Sequence, residues 1–165
     1  MPGVAIWVAV ALAVGGRVGR ALGVRRAVAL ALIVSIGITL SATLTPSRWA
    51  LDFMAVGTGS CDFSRIGLAP LGELLRFNDT SLNVLLFVPL GVSIAFIPRS
   101  RLKVVVAVGA IALPFAIETT QLLALWLDRA CQSADVVDNL TGLALGLAGG
   151  VVVKRFIAGV VRQGR

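Results

Sequence analysis

The stretch VVVAVGAIALPFAIETTQLLALWL, residues 104–127, decides the fold of this chain. Its only strongly polar side chains lie in the segment ETTQ, where a carboxylate, Glu118, and an amide, Gln121, stand one helical turn apart, and it contains no basic residue. A membrane-spanning helix needs about 20 mainly apolar residues, and this run supplies them. Working outward, four more runs are candidates for spans: residues 2–16, 27–46, 82–97 and 136–153. The first and third are short, so they must borrow flanking residues or thin the bilayer locally.

Composition agrees with five spans. Of the 165 residues 58% are hydrophobic and 14% charged, and the mean hydropathy is +0.96; a soluble domain carries about 25% charged residues. The expected fold class is all-α: an integral membrane bundle of about five transmembrane helices in a single polytopic domain, residues 1–165. The first run is read as a retained helix. It has no charged side chain ahead of it, whereas a cleaved signal has its positive charge before the apolar stretch.

The net charge of +7 is distributed by topology. Eleven of the fifteen basic residues fall in three clusters, Arg17, Arg20, Arg25 and Arg26, then Arg99, Arg101 and Lys103, then Lys154, Arg155, Arg162 and Arg165. With alternating spans these lie on one side, and all eight acids lie in the opposite loops or in the spans bordering them. The positive-inside rule then places the N-terminus outside and the C-terminus in the cytoplasm of a cell-membrane protein. The basic tail suits anionic membrane lipids; nucleic acid is not expected, because no aromatic residues are interleaved as stacking platforms.

Both cysteines, Cys61 and Cys131, fall in loops on the outer face of this topology. An oxidising compartment permits a disulfide between them, with two unrelated thiols as the alternative. The long outer loop, residues 47–81, contains LGELLRF at 71–77, whose helical spacing predicts a short amphipathic helix, either lying on the outer interface or simply covering the bundle. Pro89 and Pro114 sit inside the third and fourth spans, where each removes a backbone hydrogen bond and can bend the helix.

Glu118 is expected about 14 Å below the outer end of its run at 1.5 Å per residue, beyond the reach of snorkelling. It needs a partner, a proton or a wet cavity, and such residues usually mark function. The fifth span offers Asp135, Asp138 and Asn139, with Gly142 and Gly146 continuing the stripe so that another helix backbone can approach closely. Asn83 heads the third span. Arg129, in the short loop before the fifth span, is placed to pair with Asp135 or Asp138, or to hold an anionic ligand on its rigid fork. Glu118, Asp135 and Arg129 are the candidate catalytic set, and Asn83, Gln121, Asp138 and Asn139 the candidate binding residues of an outward-opening recess. Packing glue between helices is the plainer reading of the neutral amides.

NVLLFVPLG (83–91), ETTQ (118–121), an arginine, and DVVDNLTG (135–142), in that order, resemble the successive signatures of VanZ-like membrane proteins over residues 83–146. The positions carried over are Asn83, Phe87, Pro89, Gly91, Glu118, Gln121, Arg129, Asp135, Asn139 and Gly142. Where the family often has an aspartate pair just ahead of the asparagine, Asp138 here directly precedes Asn139, so either Asp135 or Asp138 answers to the family's acid. The resemblance implies a small envelope protein and a link to glycopeptide, specifically teicoplanin, susceptibility.

Three functions fit these residues. The recess binds or modifies a lipid-linked envelope precursor, by proton transfer or with magnesium held by Asp135, Asp138 and Glu118; or the chain is a small proton-coupled transporter, paired as a homo-oligomer; or it is a non-catalytic assembly factor. Histidine is absent, which removes histidine acid–base and metal chemistry, and no motif specifies a cofactor or a metal.

Overall fold

The structure is a computed structural model that describes residues 2–163; Arg165 and the side chain of Arg162 from the last basic cluster lie outside the described residues. Five helices are long and apolar enough to cross a membrane: α1 (Pro2–Leu22), α2 (Arg26–Thr43), α5 (Asp79–Phe96), α6 (Arg101–Leu123) and α7 (Ser133–Gln163). Two short helices, α3 (Arg48–Phe53) and α4 (Leu71–Leu74), lie in the long loop. With the apolar composition this makes the chain a multi-pass membrane protein of all-α class.

Helix ends follow local chemistry. Gly23 adopts a left-handed conformation (φ 65°) just after α1, the usual device for closing a helix. Asn78 and Ser81 form a reciprocal capping box at the start of α5, and the Ser100 side chain accepts from Lys103 N at the start of α6; each satisfies amides that a helix leaves unpaired. The two short spans do borrow flanking residues. α1 continues through Arg17 and Arg20, and α5 begins at Asp79. Both α5 and α6 run without interruption through their prolines.

The fourth span ends earlier than its hydropathy suggests. α6 stops at Leu123, and residues Leu125–Leu127 form a 3-10 turn followed by Asp128 in the left-handed region. The reason is tertiary: the long loop takes the carbonyls of this turn. Ser47 N donates to Leu127 O (2.9 Å) and Gly57 N to Leu125 O (2.8 Å), while the Ser47 hydroxyl donates to Asp128 Oδ2 (2.6 Å). Glu118 therefore sits only about 8 Å from its helix end rather than about 14 Å. Of the stretch 71–77 only the single turn α4 is helical, because the Asn78 cap opens a new helix directly behind it.

α5 is the centre of the bundle, packed on α7 and on α2, with α1 outside α2 and α6 beside α7. Phe87, Leu90 and Ile94 of α5 meet Leu32 of α2, Ala110 and Ile117 of α6 and Leu143 of α7 in one core. The α5–α7 crossing is so close that a Cβ at Gly142 or Gly146 would collide with the carbonyl oxygens of Val84 and Val88, and one at Gly91 with that of Leu143. Small residues make such backbone contact possible where lipid supplies no hydrophobic drive between helices. The outer faces of α6 and α7 expose Val104, Val108, Ile111, Phe115, Val152 and Phe156, as expected of surfaces that bilayer chains cover. α7, with 31 residues, is about 46 Å long. It outreaches the ~30 Å hydrocarbon core at the end that carries Lys154 and Arg155.

Candidate functional site

The site forms at the end of the bundle that carries the long loop, opposite the basic clusters. A cavity of about 540 Å³ opens there, lined by Asn83 and Asp79 from α5, Glu118 and Gln121 from α6, Asp135 and Asn139 from α7, Thr43 from α2, and Arg129 and Gln132 from the segment between α6 and α7. Six of the seven residues expected at the recess thus share one cavity. Asp138, the seventh, does not line it.

Helical spacing accounts for the arrangement. Glu118 and Gln121 are three apart on α6, and Asp135 and Asn139 four apart on α7, so each pair presents one face. Glu118 is buried, and its Oε2 accepts the backbone N–H of Gln132 at 2.7 Å. Gln121 donates through Nε2 to Thr43 O at 3.0 Å, which fixes the orientation of its amide. Gln121 Oε1 and Asn139 Oδ1 are then buried acceptors with no protein partner. Unpaired buried polar atoms are uncommon and costly, and here two of them belong to residues lining the same hollow. Asp135 lies close to Asp79 and Asp138, with Arg65 also in its field.

Arg129 is not the partner of the aspartates. Its Nε donates to Thr45 O at 3.1 Å, and among the described residues its guanidinium forms no ion pair. Asp138 is neutralised instead by Arg65 of the long loop, a residue that sequence reasoning passed over. Arg65 grips it with both terminal nitrogens, at 3.1 Å and 2.5 Å, and this bond raises the Arg65 pKa above its ordinary value. Asp135 therefore lines the recess, while Asp138 lies outside its lining, paired with Arg65. Magnesium held by Asp135, Asp138 and Glu118 does not fit this geometry: among the described residues no three acidic or thiol side chains converge as a metal requires.

A strap of the long loop holds the arrangement together. Cys61 is joined to Cys131 by a disulfide; Cys61 and Asp62 pair in parallel with Cys131 and Gln132 as a two-residue bridge; and Ser133 donates its hydroxyl to Arg65 O at 2.8 Å. Next to the strap Ser64 donates its backbone N–H and then its hydroxyl to Asp62, which lowers the pKa of that carboxyl. The bridge places the Gln132 N–H that meets Glu118. A signal for Arg65 was present in the sequence. It follows Cys61 by four positions, so a bond from Cys61 to Cys131 carries it to the start of the fifth span, where two aspartates call for a cation. Asp79 and Gln132 had no comparable signal.

Beside the recess runs a second cavity of about 490 Å³, walled by Phe115, Leu122, Val136, Leu140 and the loop residues Phe63 and Ile66. It is almost wholly apolar and passes between α6 and α7. Glu118 and Gln132 line both cavities, so polar recess and apolar groove share one wall.

Five spans, a glycine-tight α5–α7 crossing and a polar recess beside a disulfide-tied loop strap define a small polytopic membrane protein with a buried acceptor-rich site. A family model described as VanZ/LLP1 matches residues 27–154, most of the chain and more than the motif-bearing region 83–146. The chain belongs to the VanZ/LLP1 family. Neither a curated protein nor a solved structure matches it.

Proposed function

We propose that the protein is a cell-membrane component that binds an amphiphile of the envelope, such as a lipid-linked precursor, with the head group in the recess and the chain in the groove between α6 and α7. The observation that carries this reading is the shared wall: Glu118 and Gln132 border a polar hollow on one side and an apolar one on the other. Ligand sites are concave and mostly apolar with a few convergent polar groups, and the two cavities together have that form. The charge asymmetry of the loops supports an outward-facing recess, with the N-terminus outside and the C-terminus in the cytoplasm. Binding of a cell-wall precursor there would connect the protein to glycopeptide susceptibility, including that to teicoplanin.

Lipid retention tests the reading. The full chain, purified in detergent from cell membranes, is expected to keep a bound lipid in native mass spectrometry. Val136→Trp, which fills the groove, should remove that lipid while thermal unfolding stays within a few degrees of the parent. Equal lipid retention in both proteins would exclude the groove as the chain's seat.

A further inference from the structure

The unsatisfied atoms of the recess are acceptors. Gln121 Oε1 is buried and unpartnered, and its identity as oxygen is secured by the Nε2 bond to Thr43 O. Asn139 Oδ1 is buried in the same lining. The carboxylates of Glu118, Asp135 and Asp79 complete the set. Only one lining residue, Arg129, is basic, and it comes from the segment between α6 and α7 rather than from a span. With Nε bonded to Thr45 O, its two terminal nitrogens remain for an oxyanion.

We propose that the deep end of the recess receives a protonated primary amine and that Arg129 receives a phosphate, so that the head group is an aminoalkyl phosphate. An ammonium offers three donors and no acceptor, which matches Gln121 Oε1, Asn139 Oδ1 and the free valences of Glu118 and Asp135. A phosphate at that depth would face the carboxylates of Glu118 and Asp135, whereas on Arg129 it meets the planar fork suited to it. A divalent cation is the weaker match, because among the described residues no three acids converge. This inference rests on the amphiphile reading for the chain but not for the head group: an aminoalkyl phosphate free in solution presents the same chemistry.

The test uses the full chain, delipidated in detergent, with four probes: dioleoyl phosphatidylethanolamine, its N-acetyl derivative, dioleoyl phosphatidylglycerol and free phosphoethanolamine. Phosphatidylethanolamine should bind roughly tenfold or more tightly than the other two lipids, the worth of a hydrogen bond to a charged group. Glu118→Gln should remove that preference, while Arg129→Ala should weaken the phosphatidylethanolamine and phosphatidylglycerol complexes alike. Equal binding of the amine and its N-acetyl form overturns the amine assignment, whether or not the Glu118 variant folds, since that comparison needs only the parent protein. Equal binding of all three lipids, abolished by Val136→Trp, leaves the amphiphile reading standing and removes this one. Selective binding of phosphoethanolamine alone keeps the head-group chemistry and removes the lipid tail; no binding of any probe removes both.

Discussion

Arg65 and Asp138 show how a residue's role depends on what the chain folds against it. Asp138 is 1% exposed, and a carboxylate at that depth needs a counter-charge. Removing only one partner of such a pair leaves the other buried and unpaired, so Arg65→Ala should cost about 3–5 kcal/mol. Adding Asp138→Asn should recover much of the loss, because the stranded charge goes with it. Thermal unfolding in detergent reads both; if Arg65→Ala unfolds like the parent, the pair does not hold the strap. Asp135, three residues earlier, forms no ion pair among the described residues and lines the recess, a division between two like residues that spacing alone left open.

At the scale of elements, α5 and α7 are matched through glycines rather than through large side chains. Gly142 and Gly146 occupy successive turns of α7 and receive the carbonyl ridge of α5, while Gly91 receives α7 in return. Asn83 and Asp79 on α5 are thereby held across from Asp135 and Asn139 on α7, so the crossing also sets the width of the recess. Gly146→Val should push the helices apart and destabilise the protein by at least the roughly 1–3 kcal/mol typical of overpacking, whereas Gly149→Val, at a position with open space around it, should be near neutral. Comparable melting temperatures for the two variants would contradict the close crossing. The glycine stripe was legible in the sequence because helical spacing places 142 and 146 on one face. The end of α6 was not. Leu125, Trp126 and Leu127 have the hydropathy of a span, while the carbonyls of Leu125 and Leu127 accept from Gly57 and Ser47 of a distant loop, a partnership that hydrophobic periodicity does not register.

For the whole molecule, the basic clusters and the loop strap sit at opposite ends of the bundle. Lys103 and Lys154 donate to the carbonyls of Ile97 and Ala95 at the C-terminal end of α5, where a cation complements the helix dipole. With five spans the termini must lie on opposite sides. A fluorescent protein fused to the C-terminus is expected to fluoresce in the cytoplasm, and a tag at the N-terminus to be accessible from outside intact cells. The reverse pattern would place the recess and the Cys61–Cys131 bond in the reducing compartment and remove the envelope reading.

Apolar run lengths, charge asymmetry and motif order by themselves determined the class, the number of spans and the family, since each depends on the transfer of whole segments into lipid or is written locally along the chain. Tertiary structure alone decided which acid faces the recess, that Arg65 rather than Arg129 neutralises Asp138, and that polar and apolar cavities meet at Glu118 and Gln132. Those outcomes depend on contacts between residues 14 to 73 positions apart, and no local pattern encodes which of several equivalent charges the closing loop will reach.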